Sequence, residues 1–269
     1  MNDAGAHAAF RARYGPWAVV AGASSGLGEA FAEGLAARGL NMVLVARRAE
    51  LLASVADGLR ARHGVDARCV ELDLASPELW ARLSREVADL EIGCLVYNAA
   101  LSLIGPFLEQ SIEDKLRVLD LNCRGPLVLA DGFGRAMAER GRGGIVLMTS
   151  LAGSQGSPLV ATYAATKAFN LVLAEGLWEE LGRRGVDVLG CRAGAIRTPA
   201  YVATHPKHDP PMMEASAVAE AALRALGRTP CTVPGFVNRL GAFVMNRLLP
   251  RRAAIRLIAR STRKMYDRS

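Results

Sequence analysis

The chain has 269 residues, 51% hydrophobic, 22% charged and 6% aromatic, which suits one α/β domain with a sizeable core and excludes a disordered chain. Net charge is +7, yet Phe236 to Ser269 holds nine Lys or Arg against the single acid Asp267, leaving the remainder near −1. A basic tail on a near-neutral body argues against a nucleic-acid role, and Cys69, Cys94, Cys123, Cys191 and Cys231, scattered without a Cys-x-x-Cys pair or clustered histidines, argue against a metal site.

Strand-like and helix-like runs alternate along the chain. Trp17 to Ala21 reads as the first strand and runs into Gly22-Ala23-Ser24-Ser25-Gly26-Leu27-Gly28, followed by a helix over Gly26 to Arg38. Glycines let a backbone turn sharply and approach a pyrophosphate, while the helix N-terminus offers free N–H groups and a positive dipole end. The second strand, Asn41 to Ala46, ends in Arg47-Arg48 before a helix over Ala49 to Arg62. An acid at that position would bind a ribose 2′-hydroxyl, whereas a guanidinium suits a 2′-phosphate, so NADP(H) is preferred over NAD(H). A solvated arginine pair at a helix start is the competing reading.

A third strand, Ala67 to Leu72, precedes Asp73 and a helix over Pro77 to Ala88; a fourth, Cys94 to Tyr97, precedes Asn98. Asp73 is placed to contact an adenine and Asn98 to brace the loops around a cofactor, and both positions also suit turn or cap residues. One helix is expected over Ile112 to Glu139, a fifth strand over Gly144 to Met148, a helix over Leu159 to Arg183 and a sixth strand over Val186 to Cys191. The strands are apolar throughout, as in a parallel sheet covered on both faces, and right-handed crossovers then give a doubly wound Rossmann sheet. Ala193 to Glu214, with Pro199, Pro206, Pro210 and Pro211, reads as a loop over the site.

The tail from Gly235 to Arg263 interleaves apolar residues with arginines and breaks at Pro250. Three readings stay open: a helix packed across the domain with a solvated arginine face, attachment to an anionic membrane surface, or an oligomer or acidic-partner contact. This divides the chain into a nucleotide-binding and catalytic domain, 1–235, and a basic amphipathic extension, 236–269. No run reaches a membrane span and Met1 to Tyr14 lacks a signal core, so the expected location is cytoplasmic, with peripheral membrane contact through the tail left open.

Ser150 closes the fifth strand, and Tyr163 and Lys167 stand four residues apart, on one face if their run is helical. A tyrosine pKa lies near ~10, and an adjacent ammonium favours the phenolate and lowers it, which tunes the group for acid–base work.

Together these motifs resemble the classical short-chain dehydrogenase/reductase family from Trp17 to about Gly235, with thirteen residues from Ser150 to Tyr163. The resemblance implies hydride transfer between NADP(H) and a carbonyl or secondary alcohol. Tyr163 would be the proton donor, Ser150 would orient the carbonyl, Lys167 would lower the tyrosine pKa and hold the nicotinamide ribose, and Asn122 would position a water linking the lysine to solvent. Gly22, Ser24, Ser25, Gly26, Leu27 and Gly28 would surround the pyrophosphate. Arg47, Arg48, Asp73, Leu74, Asn98, Ala99, Ala100, Gly194, Ile196 and Thr198 would complete the cofactor site. Departures are Ala100 where the family has glycine, which suggests a negative φ there, and Ala193 before Gly194 where it has proline. Leu101, Leu103, Ile104, Leu151, Leu159 and Tyr201 point to an apolar ketone or aldehyde substrate. The family commonly forms homodimers or homotetramers. A nucleotide-binding sensor or scaffold without catalysis is the alternative.

Overall fold

The computed structural model describes residues 3–203 and 212–266. Helix α1 (Asp3–Tyr14), which sequence periodicity did not reveal, precedes β1 (Trp17–Ala21), α2 (Leu27–Ala36), β2 (Asn41–Ala46), α3 (Ala49–His63), β3 (Ala67–Glu71), α4 (Leu79–Glu86) and β4 (Ile92–Tyr97). Then follow α5 (Ile112–Leu119), α6 (Gly125–Arg140), β5 (Gly143–Ser150), α7 (Ala161–Gly182) and β6 (Val186–Ala193). The chain closes with the two-residue strands β7 (Ile196–Arg197) and β8 (Met213–Glu214), α8 (Pro199–Val202), α9 (Ala215–Ala225), β9 (Cys231–Thr232), α10 (Phe236–Phe243) and α11 (Arg251–Tyr266). Residues 204–211, inside the expected loop over the site, lie outside the described residues.

The main sheet has seven parallel strands in the order β3-β2-β1-β4-β5-β6-β9. Strand order reverses between β1 and β4, which opens a crevice at their carboxyl ends. Alternate strand residues feed two apolar layers. Val20, Leu44 and Val96 join Phe31 and Leu35 of α2, Leu52 of α3 and Leu223 of α9 on one face. Val19, Val45, Leu95 and Leu147 join Leu79 and Leu83 of α4 and Leu129 and Phe133 of α6 on the other. The seventh strand and α9 were not anticipated. β9 is only two residues long, too short to show periodicity.

The single helix expected over Ile112 to Glu139 is interrupted. Between α5 and α6, Asp120 to Arg124 form one π-turn, closed by Gly125 N–H donating to the Asp120 carbonyl. Pro126 is the cause: it has no N–H to give to either Leu121 or Asn122. Both carbonyls find side chains instead, the Tyr97 hydroxyl at 2.7 Å from Leu121 O and Asn170 Nδ2 at 2.9 Å from Asn122 O. The replacement by Tyr97→Phe leaves the Leu121 carbonyl against a phenyl ring. A loss of about 1–3 kcal/mol is expected in urea unfolding, and an unchanged midpoint would show that this bond contributes nothing.

Candidate active site

The glycine turn sits at the switch point. Gly22 adopts φ +87°, and a Cβ there would stand 2.8 Å from the Ala99 backbone, so the loops after β1 and β4 meet closely enough that only hydrogen fits. Asn98 Nδ2 donates to Gly22 O at 3.0 Å, and the Asn98 and Ala99 N–H groups both reach Ala21 O at 2.9 Å. A Cβ on Gly28 would lie 1.9 Å from Gly22 O, which draws the first turn of α2 down onto the loop. Its cap, Gly26, contributes no side-chain hydrogen bond, so the N–H groups of that turn face the crevice mouth without a capping side chain.

Arg48 reaches across from the end of β2, donating to Ser24 Oγ at 2.7 Å and Ser25 Oγ at 2.8 Å. The loop's two hydroxyls are thus tied to Arg48, while Arg47 is exposed beside it. A narrow glycine turn, two hydroxyls, a guanidinium and an uncapped helix N-terminus suit a dinucleotide phosphate. Asp73 is engaged otherwise: Oδ1 accepts the Ala75 N–H at 3.0 Å and Oδ2 accepts from Arg117 at 2.9 Å. Burial opposes its ionisation, but those donors, with Arg47 nearby, hold the carboxyl below its ordinary value. It acts here as a turn residue and ion-pair partner. Leu74 is buried in the core layer beside it.

The later motif residues fall around the same rim. Thr198 caps α8, and its Cβ stands 3.1 Å from where a Gly26 Cβ would be, so that segment leans on the glycine turn. Ile196 lies in β7, partly buried against the first core layer. Gly194 is approached by Asn238 of α10, whose amide would stand 2.8 Å from a Cβ at that glycine. Ala100 is exposed, and its φ is not positive; among the described residues the non-glycine with positive φ is Leu159, at 67°.

Asn122, Ser150, Tyr163 and Lys167 converge at the ends of β4 and β5. Asn122 is fully buried within the π-turn, and its side chain clamps the loop after β4: Oδ1 accepts the Leu101 N–H at 2.8 Å and Nδ2 donates to Leu101 O at 2.9 Å. Nδ2 also donates to Thr166 Oγ1 at 3.0 Å, which joins this loop to α7. Thr149, not singled out in the sequence, ties β5 to α7 by donating to Lys167 O at 2.9 Å while accepting from Ser150 N at 2.6 Å. The continuous apolar run up to Met148 hid it, because its hydroxyl matters only once α7 lies alongside.

The expectation that Lys167 lowers the Tyr163 pKa is corrected. Burial pushes the Tyr163 phenol up, a hydrogen bond with Ser150 pulls against that shift, and the phenol of Tyr266 adds to it. Lys167 Nζ donates to Met148 O at 2.9 Å and stands 5.6 Å from the centre of the Tyr163 ring, against its face instead of its hydroxyl. Burial pulls the lysine down to about 8, opposed by its interaction with Cys123. The two residues do share one helical face; what the spacing left open was the direction of the ammonium.

The sequence reading also missed what lies over the site. Arg251 of α11 donates to Ser154 O at 2.9 Å, in the turn after Ser150, and Ile255 stands 3.9 Å from the Cβ position of Gly156. With Ala254 and Thr262 buried, α11 packs on the catalytic turn, as the first reading of the tail expected. The amphipathic spacing carried that signal, but not which surface its apolar face would cover.

The family model for short chain dehydrogenase matches residues 16–209. The chain belongs to the short-chain dehydrogenase family. It is 31% identical over 234 residues to the 7beta-hydroxysteroid dehydrogenase of Clostridium sardiniense, covering 86% of this chain and 89% of that protein. Its fold matches the short-chain dehydrogenase from Sphingobium yanoikuyae in complex with NADPH, at TM-score 0.77 and 33% identity, over 85% of this chain and 92% of that one. It also matches the bulky-bulky ketone specific alcohol dehydrogenase from Comamonas testosteroni, at TM-score 0.75 and 31% identity, over 87% and 95% of the two chains. As a member of this family the chain is a nicotinamide-dependent oxidoreductase acting on a carbonyl or alcohol. The alternative of a non-catalytic sensor gains no support from these relatives.

The depressed lysine has a measurable consequence. Between about 8 and its ordinary value of 10.5 the unfolded chain binds a proton that the folded chain has released, so this group's contribution to stability rises with pH across that window. The advantage of Lys167→Met over wild type, measured by urea unfolding at pH 7 and pH 10, should therefore shrink as pH rises; a constant difference would place the lysine pKa at its ordinary value.

Proposed function

We propose that this short-chain dehydrogenase reduces the carbonyl of an apolar ketone with NADPH, and that the hydrogen-bonded pair of Ser150 and Tyr163 beside the glycine turn carries the chemistry. The reduced nicotinamide, when bound, supplies the hydride. Ser150 Oγ orients the substrate oxygen, and the Tyr163 hydroxyl gives it a proton. The raised phenol pKa supports this direction, because the tyrosine remains protonated and ready to donate at neutral pH. Lys167 holds the cofactor ribose, and Asn122 fixes the loop at Leu101 that walls the substrate side.

Selection of NADPH rests on Arg47 and Arg48 at the end of β2, where no acid stands, with Ser24 and Ser25 oriented by Arg48. Gly22, Gly26, Leu27 and Gly28 line the pyrophosphate, with Asp73, Leu74, Asn98, Ala99 and Ala100 on the adenosine side and Gly194, Ile196 and Thr198 on the nicotinamide side. The steroid and bulky-ketone relatives support an apolar substrate. Exposed Ile112, Leu116, Leu127, Val172 and Trp178 on α5, α6 and α7 support pairing of copies through those helices, in a homodimer or homotetramer. Phe236, Val237, Leu240 and Phe243 of α10, each more than half exposed and followed by arginines, support peripheral contact of this cytoplasmic enzyme with an anionic membrane.

Oxidation of NADPH by a bulky aromatic ketone tests the reading. Tyr163→Phe should lose turnover by a factor of roughly 10² or more while still binding NADPH. Wild type that binds NADPH but turns over no ketone in a broad panel would favour the sensor. The replacement of Arg47 and Arg48 by alanine should raise KM for NADPH about tenfold or more relative to NADH, and an unmoved ratio sinks the NADP preference.

A further inference from the structure

A second cavity lies on the same rim of the sheet, beyond the catalytic strand. It measures about 350 Å³, near the lower end of small-molecule sites, and opens to solvent between β6, β9 and the tail. Its walls carry three guanidinium groups, Arg192, Arg239 and Arg247, together with Thr232 and Asn246, and no carboxylate is among its lining residues. Other arginines of the body pair with acids, as Arg38 does with Glu220, Arg68 with Asp89 and Arg142 with Glu91. Arg239 and Arg247 make no ion pair or side-chain hydrogen bond among the described residues. Arg192 donates through one terminal nitrogen to Ser154 Oγ and also interacts with the Cys231 thiol in the cavity wall, while its Nε is buried without a partner.

A buried N–H without an acceptor is costly, and an anion beside it would also draw the exposed guanidinium groups of Arg239 and Arg247. The geometry points to a phosphate-bearing ligand held by Arg192, Arg239 and Arg247. Planar guanidinium forks recognise phosphate oxygens in pairs, and Thr232 and Asn246 add neutral polar groups. The carboxylate of Glu175 interacts with Cys231 in the cavity wall but is not part of the lining.

The position suggests what carries the phosphate. Arg192 is paired in register with Thr149, the residue before Ser150, and Cys191 with Thr232 of β9. The cavity therefore lies one to two strands from the catalytic serine, roughly 5–10 Å across the sheet at ~4.8 Å per strand. An apolar ketone on a flexible arm, with phosphate at the arm's far end, would span the two sites. This rests on the ketone reductase reading and narrows its substrate to one anchored by a phosphate. The exposed Phe243 beside the cavity allows the same chemistry to come from the headgroup of an anionic lipid.

Calorimetric titration of the NADPH-saturated protein with pyrophosphate is the direct test, since the bound cofactor already fills its own phosphate site. Saturable binding that weakens about tenfold or more when Arg239 and Arg247 are both replaced by glutamine is expected. No binding, or equal binding by the double variant, overturns the site. Two further arms identify the source. If the ligand is a substrate handle, the preference in kcat/KM for a 3-oxoacyl-coenzyme A over its phosphate-free N-acetylcysteamine thioester falls about tenfold in the double variant. If it is a lipid, that preference stays and sedimentation with phosphatidic acid in phosphatidylcholine vesicles falls instead. A pyrophosphate site that moves neither arm is an adventitious anion site, and the proposal fails. Should no ketone be reduced at all, the functional reading fails while the pyrophosphate and vesicle measurements still decide the cavity.

Discussion

A parallel sheet buried on both faces leaves one place for polar chemistry, and the rest of the molecule follows from that constraint. Seven strands run the same way, and both faces are sealed by helices. Peptide groups inside the sheet are paired with neighbouring strands, so free backbone donors and side-chain hydroxyls collect at the rim where the strands end. Gly22, Asn98, Ser150 and Arg192 all stand there. The order reversal between β1 and β4 decides where along the rim a nucleotide fits, and the rim continues toward β6 and β9.

The proposed catalytic corner depends on a break in a helix. Pro126 withholds the one N–H that Leu121 O or Asn122 O could have accepted, and the π-turn points Asn122 inward, where its amide holds the Leu101 main chain at both polar groups and reaches Thr166. Tyr97 and Asn170 satisfy the carbonyls that the proline left. One residue without a donor thus ties β4, the long broken helix and α7 into a single unit. Lys167 sits behind it, buried with a main-chain carbonyl for a partner, an arrangement that weakens the fold slightly and keeps a cation close to the tyrosine ring.

The tail divides its two faces between different tasks. α11 places Ala254 and Thr262 in contact with the protein and its arginines in water, and its far end brings Tyr266 near enough to Tyr163 to affect its ionisation. α10 leaves Phe236, Val237 and Leu240 exposed. Between α10, the turn after it and the sheet edge lies the arginine-lined cavity, so the segment that looked like an appendage forms part of its walls.

Much of this was legible in the chain. Apolar strand runs separated by amphipathic helices determined the parallel, doubly wound architecture, because a strand buried on both faces must be apolar at every position. The glycine turn and the spacing of Ser150, Tyr163 and Lys167 pointed to the proposed chemistry, since each needs a particular residue type at a particular local offset. What local offset does not contain is the direction of a side chain relative to a distant element. Tertiary structure alone turned Lys167 toward Met148 O, gave Ser24 and Ser25 to Arg48, engaged Asp73 with Arg117, and gathered Arg192 with Arg239 and Arg247. Those contacts join residues tens of positions apart, and their geometry is set by how helices pack on the sheet, a property of the whole fold that no window of sequence carries.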